Sequence, residues 1–230
     1  EAGDEPYLLA VSLPGVPVIV GTNRRETGRY ALEHFHPEVL LLDDGFQYWR
    51  LHRDTDIVLL DALQPAAREA LAPRGFFREP WSHLGRAHEV WVTHADLASP
   101  AQLAHLKRRI AVFAPRARVR YTAHRPLFLR ALDGAQAPLE MLRGRQVLAL
   151  SGLGHPAEFE KMLVTLGAVV TPCRFPDHHR YSVDDLARIQ AQLTGDMLLV
   201  TTPKDAIRLP TDLPMPLWVV EVELAEVEMA

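Results

Sequence analysis

Two adjacent carboxylates, Asp43 and Asp44, follow the apolar run Val39-Leu40-Leu41-Leu42 directly and precede Gly45. A short continuous apolar run reads as a buried strand, and open α/β sheets gather ligands beyond the carboxyl ends of their strands. Two anions at such a tip ask for a cation, and hard oxygen donors of this kind suit Mg²⁺. Seen alone, Asp-Asp-Gly serves equally as a turn in which one Asp caps the next element and the other is solvated. A second set, Asp177-His178-His179, joins a carboxylate to imidazoles, the side chains that accept and pass protons near neutral pH. Asp4 and Glu5 add carboxylates near the start of the chain, and Arg78 offers the guanidinium fork that phosphate prefers. Metal, phosphate and proton chemistry are thus all represented.

These groups must be held by the elements around them. Apolar runs alternate with amphipathic segments along the whole chain, the pattern of an α/β fold with a mostly parallel sheet. Strands are expected at Val18–Val20, Val39–Leu42, Ile57–Leu60, Val90–Thr93 and Val119–Tyr121, then at Val147–Leu150, Val169–Thr171, Leu198–Thr201 and Leu217–Val222. Helical spacing falls on Arg25–Phe35, Pro100–Ala111, Pro156–Leu166 and Val183–Leu193, the last with Ser182 as its N-cap. The stretch Pro126–Pro138 breaks this rhythm with two short β-like segments around Asp133-Gly134 and reads as a linker. Glu221, Glu223, Glu226 and Glu228 read as a solvated tail.

The chain has 230 residues, is 48% hydrophobic and carries a formal charge of −4, which places it among globular proteins and gives no general attraction to nucleic acid. Arg108-Arg109 and the series Arg116, Arg118, Arg120 are local basic clusters, which a solvated helix end and the exposed face of a strand explain about as well as a binding partner would. A single cysteine, Cys173, excludes an internal disulfide and lacks zinc-ligand neighbours. No apolar stretch approaches the roughly 18 residues that span a bilayer, so membrane contact by these residues is expected to be peripheral.

The full string Asp43-Asp44-Gly45-Phe46-Gln47-Tyr48-Trp49-Arg50-Leu51 closely resembles the Asp-Asp-Gly-Phe-Gln-His-Trp-Arg-Leu signature of the tetraacyldisaccharide 4'-kinase family, whose members phosphorylate the lipid A precursor. Further matches follow in the family's order: Gly3-Asp4-Glu5-Pro6, Arg78-Glu79-Pro80, Ser151-Gly152-Leu153-Gly154, Phe175-Pro176-Asp177-His178-His179 and Thr201-Thr202-Pro203-Lys204-Asp205-Ala206-Ile207-Arg208-Leu209. The resemblance implies a P-loop kinase type of α/β core, incomplete at its N-terminus, and a second, smaller α/β domain. On that basis residues 1–124 are expected in the core, 125–138 in a β-like linker and 139–230 in the smaller domain. The family carries a membrane-associated helix and a Walker A loop upstream of its Gly-Asp-Glu-Pro segment. No Gly-x-x-x-x-Gly-Lys-Ser/Thr pattern occurs in these 230 residues, so the chain is expected to be an inactive portion of a longer enzyme.

Roles follow from the resemblance residue by residue. Asp4 matches the catalytic base and His178 the histidine that partners it, while Asp43 and Asp44, joined by Glu5, match the Mg²⁺-associated carboxylates. Arg78 matches a phosphate contact, with a salt bridge to Glu79 or another acid as the alternative, and Gln47 is expected to touch nucleotide or substrate or to fix the aspartate loop. Lys204 and Asp205 have no assigned role beyond a helix start after a buried strand. The implied cofactors are ATP and Mg²⁺; the implied partner is tetraacyldisaccharide 1-phosphate at the cytoplasmic face of the bacterial inner membrane. Tyr48 and Pro203 stand where the family has histidine and glutamate, and the family's glycine-rich loop is replaced by residues 66–75, which should be stiffer or more helical. Two rival readings remain: a manganese phosphoesterase built on Asp177-His178-His179 with Asp54 and Asp56, and a non-catalytic module that binds the lipid precursor.

Overall fold

The computed structural model describes residues 3–210 and 212–228. The chain forms two compact units, one of Gly21–Arg125 with Leu224–Ala230, the other of Glu1–Val20 with Pro126–Glu223. Residues 1–20, grouped by sequence with 21–124, here belong with the C-terminal residues.

In the first unit, α2 (Arg24–Phe35), β1 (Ile57–Asp61), β2 (Glu89–Thr93) and α3 (Pro100–Phe113) precede the start of β3 (Arg118–Ala131). β1 pairs parallel with β2, and β2 parallel with β3. Local chemistry starts α3 sharply: Ser99 accepts from the Gln102 N–H, the Gln102 side chain returns to the Ser99 N–H, and Pro100 occupies the first turn. Leu103, Leu106, Ile110 and Phe113 then recur at helical spacing and pack on Val90 and Val92, both fully buried in β2.

The second unit opens with α1 (Asp4–Ser12) and resumes in the latter part of β3, which turns at Asp133-Gly134 into β4 (Gln136–Ala137) as an antiparallel hairpin. There follow β5 (Gln146–Ser151), α4 (Pro156–Thr165), β6 (Val169–Arg174), α5 (Val183–Gln192), β7 (Leu198–Thr201), α6 (Pro203–Ala206) and β8 (Leu217–Glu226). β5 pairs parallel with both β6 and β7, and β7 with β8. Val147 through Leu150 are completely buried because β5 is covered on both faces. Phe159 and Leu163 of α4 join the cluster around Val147 and Ala149, while Ile189 of α5 joins that around Leu148 and Leu150. Truncating Leu148 or Leu150 to alanine is therefore expected to cost about 2–5 kcal/mol. The Ser182 cap is present and forms a reciprocal box with Asp185.

Four expectations need correction. Neither Val18–Val20 nor Val39–Leu42 forms a strand: both lie in segments without regular structure, and Val20, Val39 and Leu41 are 52%, 71% and 92% exposed. A strand needs a ladder as well as an apolar run, and among the described residues these runs have no strand pairing. The glutamates near the end are not a solvated tail. Glu221 and Glu226 lie in β8, where Glu221 takes Arg130 at 2.7 Å and Glu226 takes Arg120 at 2.8 Å. Nor is Arg109 a solvated helix end, for its guanidinium stacks 4.8 Å from the ring centres of both Trp81 and Phe113. Residues 66–75 hold only one short 3₁₀ turn, Ala66–Arg68. Among the described residues no helix is long and apolar enough to cross a membrane.

Candidate active site

The Asp43-Asp44 loop lies in the first unit. Asp43, Asp44 and Gln47 are exposed, whereas Gly45 is buried. A β-carbon on Gly45 would fall 2.6 Å from the Leu42 side chain, so the loop turns where only glycine lets Leu42 close against the backbone. Asp44 adopts the left-handed conformation at φ 50°, which an aspartate tolerates better than most residues. Its Oδ2 accepts from Nη1 of Arg78.

Arg78 thus pairs with Asp44, and its sequence neighbour Glu79 has separate work. Glu79 Oε2 accepts from Arg86, and Glu79 Oε1 accepts from the Trp49 indole N–H at 3.3 Å. Arg86 also donates to the Phe46 carbonyl at 3.1 Å and stacks over the Phe46 and Trp49 rings at 4.1 and 4.8 Å. Burial would raise the Glu79 carboxyl, but the hydrogen bonds from Arg86, Trp49 and His83 prevail and hold it below the ordinary carboxylate range. Arg53 ties the far side of the loop to the carbonyls of Tyr48 at 2.7 Å and Leu51 at 3.0 Å, and to Asp56. The aromatic part of the motif is therefore a clamp that presents Asp43 and Asp44 to solvent.

Asp4 and His178 lie in the other unit. Asp4 falls within the first turn of α1, so Gly3 rather than Asp4 is the N-cap. His178 follows β6 in a left-handed corner at φ 58°, an uncommon state for a residue with a β-carbon. The Asp177 carboxylate stabilises this corner by accepting the His178 N–H at 3.0 Å, and Lys204 Nζ lies 3.4 Å from the same oxygen. The corner places His178 Nδ1 3.3 Å from Asp4 Oδ2, across 174 positions of sequence. The hydrogen bond with His178, aided by Arg208, outweighs the opposing effect of burial and holds the Asp4 carboxyl below its ordinary range.

Arg208, to which the sequence reading gave no role, joins this pair. Its Nε donates to Asp4 Oδ2 at 2.8 Å, and its Nη2 lies 3.1 Å from His178 Nδ1. The available signal was its spacing of three from Asp205, which puts the two on one face of a helical turn. His179 is turned elsewhere: its Nε2 lies 2.9 Å from Asp185 Oδ2, and its ring lies against Phe175 and Tyr181. The two histidines thus serve different carboxylates, and Asp56 is engaged by Arg53. The Asp-His-His phosphoesterase arrangement is not formed.

Among the described residues no three or more His, Cys, Asp or Glu side chains group so as to hold a metal ion. Asp43 and Asp44 nevertheless suit Mg²⁺, which takes one or two carboxylates and completes its shell with water and substrate phosphates. Glu5 is exposed in the first turn of α1, in the unit that holds Asp4.

The family profile described as LpxK, tetraacyldisaccharide-1-P 4'-kinase, matches residues 1–229. A relative from Anaeromyxobacter dehalogenans (strain 2CP-C), named tetraacyldisaccharide 4'-kinase, is 48% identical over 91% of this chain and 56% of its own length. One of the same name from Halothermothrix orenii is 38% identical over 92% and 59%. The crystal structure of LpxK from Aquifex aeolicus in complex with ATP superposes with a TM-score of 0.72 at 31% identity, covering 98% of this chain and 65% of that one. The chain therefore spans little more than half the length of the curated relatives it matches.

Proposed function

The chain belongs to the tetraacyldisaccharide-1-P 4'-kinase family, and on that premise we propose that it carries the acceptor-activating and metal-associated side chains of an ATP-dependent kinase. The phosphoryl acceptor is the 4'-hydroxyl of tetraacyldisaccharide 1-phosphate, the lipid A precursor. One observation carries this reading: Asp4 Oδ2 and His178 Nδ1, 174 positions apart in sequence, stand 3.3 Å apart as a carboxylate–imidazole pair.

In the transfer, the acceptor oxygen bonds to the γ-phosphorus, the bond from that phosphorus to its bridging oxygen breaks, and ADP leaves. The hydroxyl proton passes to Asp4, a carboxylate ionised at neutral pH. A loose phosphoryl-transfer transition state demands little basicity from this group, so orientation matters more than base strength. His178 supplies that orientation and shares the arriving proton. Asp43 and Asp44 would hold Mg²⁺, which would offset phosphate charge, and Glu5 is a further carboxylate for the metal-associated set. Arg78 exchanges Asp44 for a phosphate oxygen, and exposed Gln47 hydrogen-bonds the nucleotide. Because the acceptor is a lipid, the enzyme works peripherally at the cytoplasmic face of the bacterial inner membrane, where ATP is at hand.

The test is transfer of labelled γ-phosphate to the disaccharide acceptor by the protein expressed from its complete reading frame. Mg²⁺-dependent labelling at the 4' position is expected. Failure to label the acceptor, or phosphoester hydrolysis with Mn²⁺ and no nucleotide, would overturn the kinase reading.

A further inference from the structure

We propose that Arg208, fixed in turn by Asp205, is the positioning residue of the Asp4–His178 pair; this rests on the kinase reading above. Three protein oxygens and one imidazole nitrogen surround its guanidinium. Nε donates to Asp4 Oδ2 at 2.8 Å, Nη2 reaches His178 Nδ1 at 3.1 Å, and Nη1 faces the Gly152 carbonyl at 3.4 Å and Asp205 Oδ1 at 3.5 Å. The side chain is only 3% exposed. An arginine meant for phosphate presents an open fork, as the exposed Arg78 does. Arg208 is enclosed by protein groups and offers no open fork to solvent, so it acts on the reaction through Asp4 and His178.

The anchor behind it is unusually complete. Asp205 is fully buried, and its Oδ1 accepts the Gly152 N–H at 3.0 Å and the Tyr181 O–H at 3.3 Å. Its Oδ2 accepts the Thr202 O–H at 2.9 Å. Burial first, and then the Asp205 charge, push the Tyr181 hydroxyl well above its ordinary range, so Tyr181 remains a donor. A β-carbon on Gly152 would stand 3.0 Å from Asp205 Oδ1 and 3.0 Å from the Pro176 carbonyl, which explains the glycine there. Three separate segments, 151–154, 176–181 and 201–209, therefore converge on one carboxylate. That carboxylate holds one arginine, and the arginine sets the carboxylate that faces the acceptor. Lys204, next to Asp205 in sequence, instead supports the His178 corner through Asp177.

The experiment compares Arg208→Met, Arg208→Lys and Asp205→Asn in the complete enzyme, with kcat, the KM for ATP and thermal unfolding recorded for each. Active wild type establishes the kinase reading independently. Arg208→Met should lower kcat about 10²-fold, the scale for a reacting group displaced by about 1 Å, with the ATP KM unchanged. Arg208→Lys should restore part of that rate. Combined with Asp4→Ala, Arg208→Met should add little further loss, while combined with Asp43→Asn its loss should multiply. A merely structural arginine would lower the unfolding temperature, leave kcat per folded molecule intact and multiply with Asp4→Ala. Either that pattern or wild-type kcat in Arg208→Met with active wild type overturns the proposal. Asp205→Asn should follow Arg208→Met in direction; a normal kcat in this variant removes the anchor from the account.

Discussion

The two acidic centres of this protein are built in opposite ways. Around Asp4, a buried arginine, a strained histidine corner and a saturated carboxylate hold the geometry. Around Asp43 and Asp44, the backbone is clamped by Arg86, Glu79 and Arg53, but the carboxylates themselves face solvent, with Arg78 on one of them. Directional chemistry on a proton rewards preorganised side chains. An ion that brings its own waters and phosphates needs a placed backbone and exposed oxygens.

The largest effect should come from the first centre. In the complete enzyme, Asp4→Ala and His178→Ala should each lower kcat by about 10²–10⁴-fold, with nucleotide binding little changed. The double variant should be close to the poorer single one. Steady-state kinetics of the four proteins checks this, and multiplicative losses would mean that the pair does not act as a unit.

Next, Asp43→Asn and Asp44→Asn should raise the Mg²⁺ concentration needed for half-maximal rate while leaving thermal unfolding near wild type, since both side chains are exposed. If instead the variants unfold early and keep a normal Mg²⁺ response, the comparison fails at its second half. A smaller effect is expected from the clamp: Glu79→Gln should destabilise the first unit by about 1–3 kcal/mol, because it weakens charge-assisted hydrogen bonds at a largely buried site. Denaturant unfolding measures this, and an unchanged midpoint would show that the loop is held by stacking alone.

The smallest effect concerns Asp185. The backbone of Ser182, then His179 and the Ser182 hydroxyl, depress its carboxyl to about 2. A depressed folded pKa stabilises the protein above the unfolded carboxylate value, near 3.8, and that stability is lost as pH falls from there toward about 2. Thermal unfolding of wild type and Asp185→Asn should therefore differ at neutral pH and converge across that window. A constant gap would mean that the charge of Asp185 is not what stabilises the helix start.

Much of this was legible in the sequence, for identifiable reasons. β5, β7, α3 and α5 carry their own signals: continuous apolar runs, helical spacing, and Ser99 and Ser182 as caps. Asp4, His178 and the Asp43-Asp44 loop could be singled out because their motifs are local strings. What escaped was pairing. Val39–Leu42 has the composition of a buried strand, but composition does not name the neighbour that would complete a ladder. Arg78 and Glu79 are adjacent, and only the folded chain gives one to Asp44 and the other to Arg86. Lys204 and Asp205 read as a helix start and Arg208 had no role, because the partners of Arg208 and Asp205, Asp4 and Gly152, are 204 and 53 positions away.

That distance bears on how the protein is made. At roughly 5–20 residues per second, a ribosome that has polymerised Asp4 needs on the order of 10–40 s to reach Arg208. Throughout that interval the carboxylate exists without its guanidinium, and α1, which buries none of its residues even in the folded chain, shows Tyr7, Leu9 and Val11 to the surroundings. The Asp4 centre is thus completed late on the nascent chain. Its closing waits on contacts of long sequence separation, the kind that form slowly. Recovery of phosphotransfer after dilution from denaturant should accordingly lag behind recovery of helical signal.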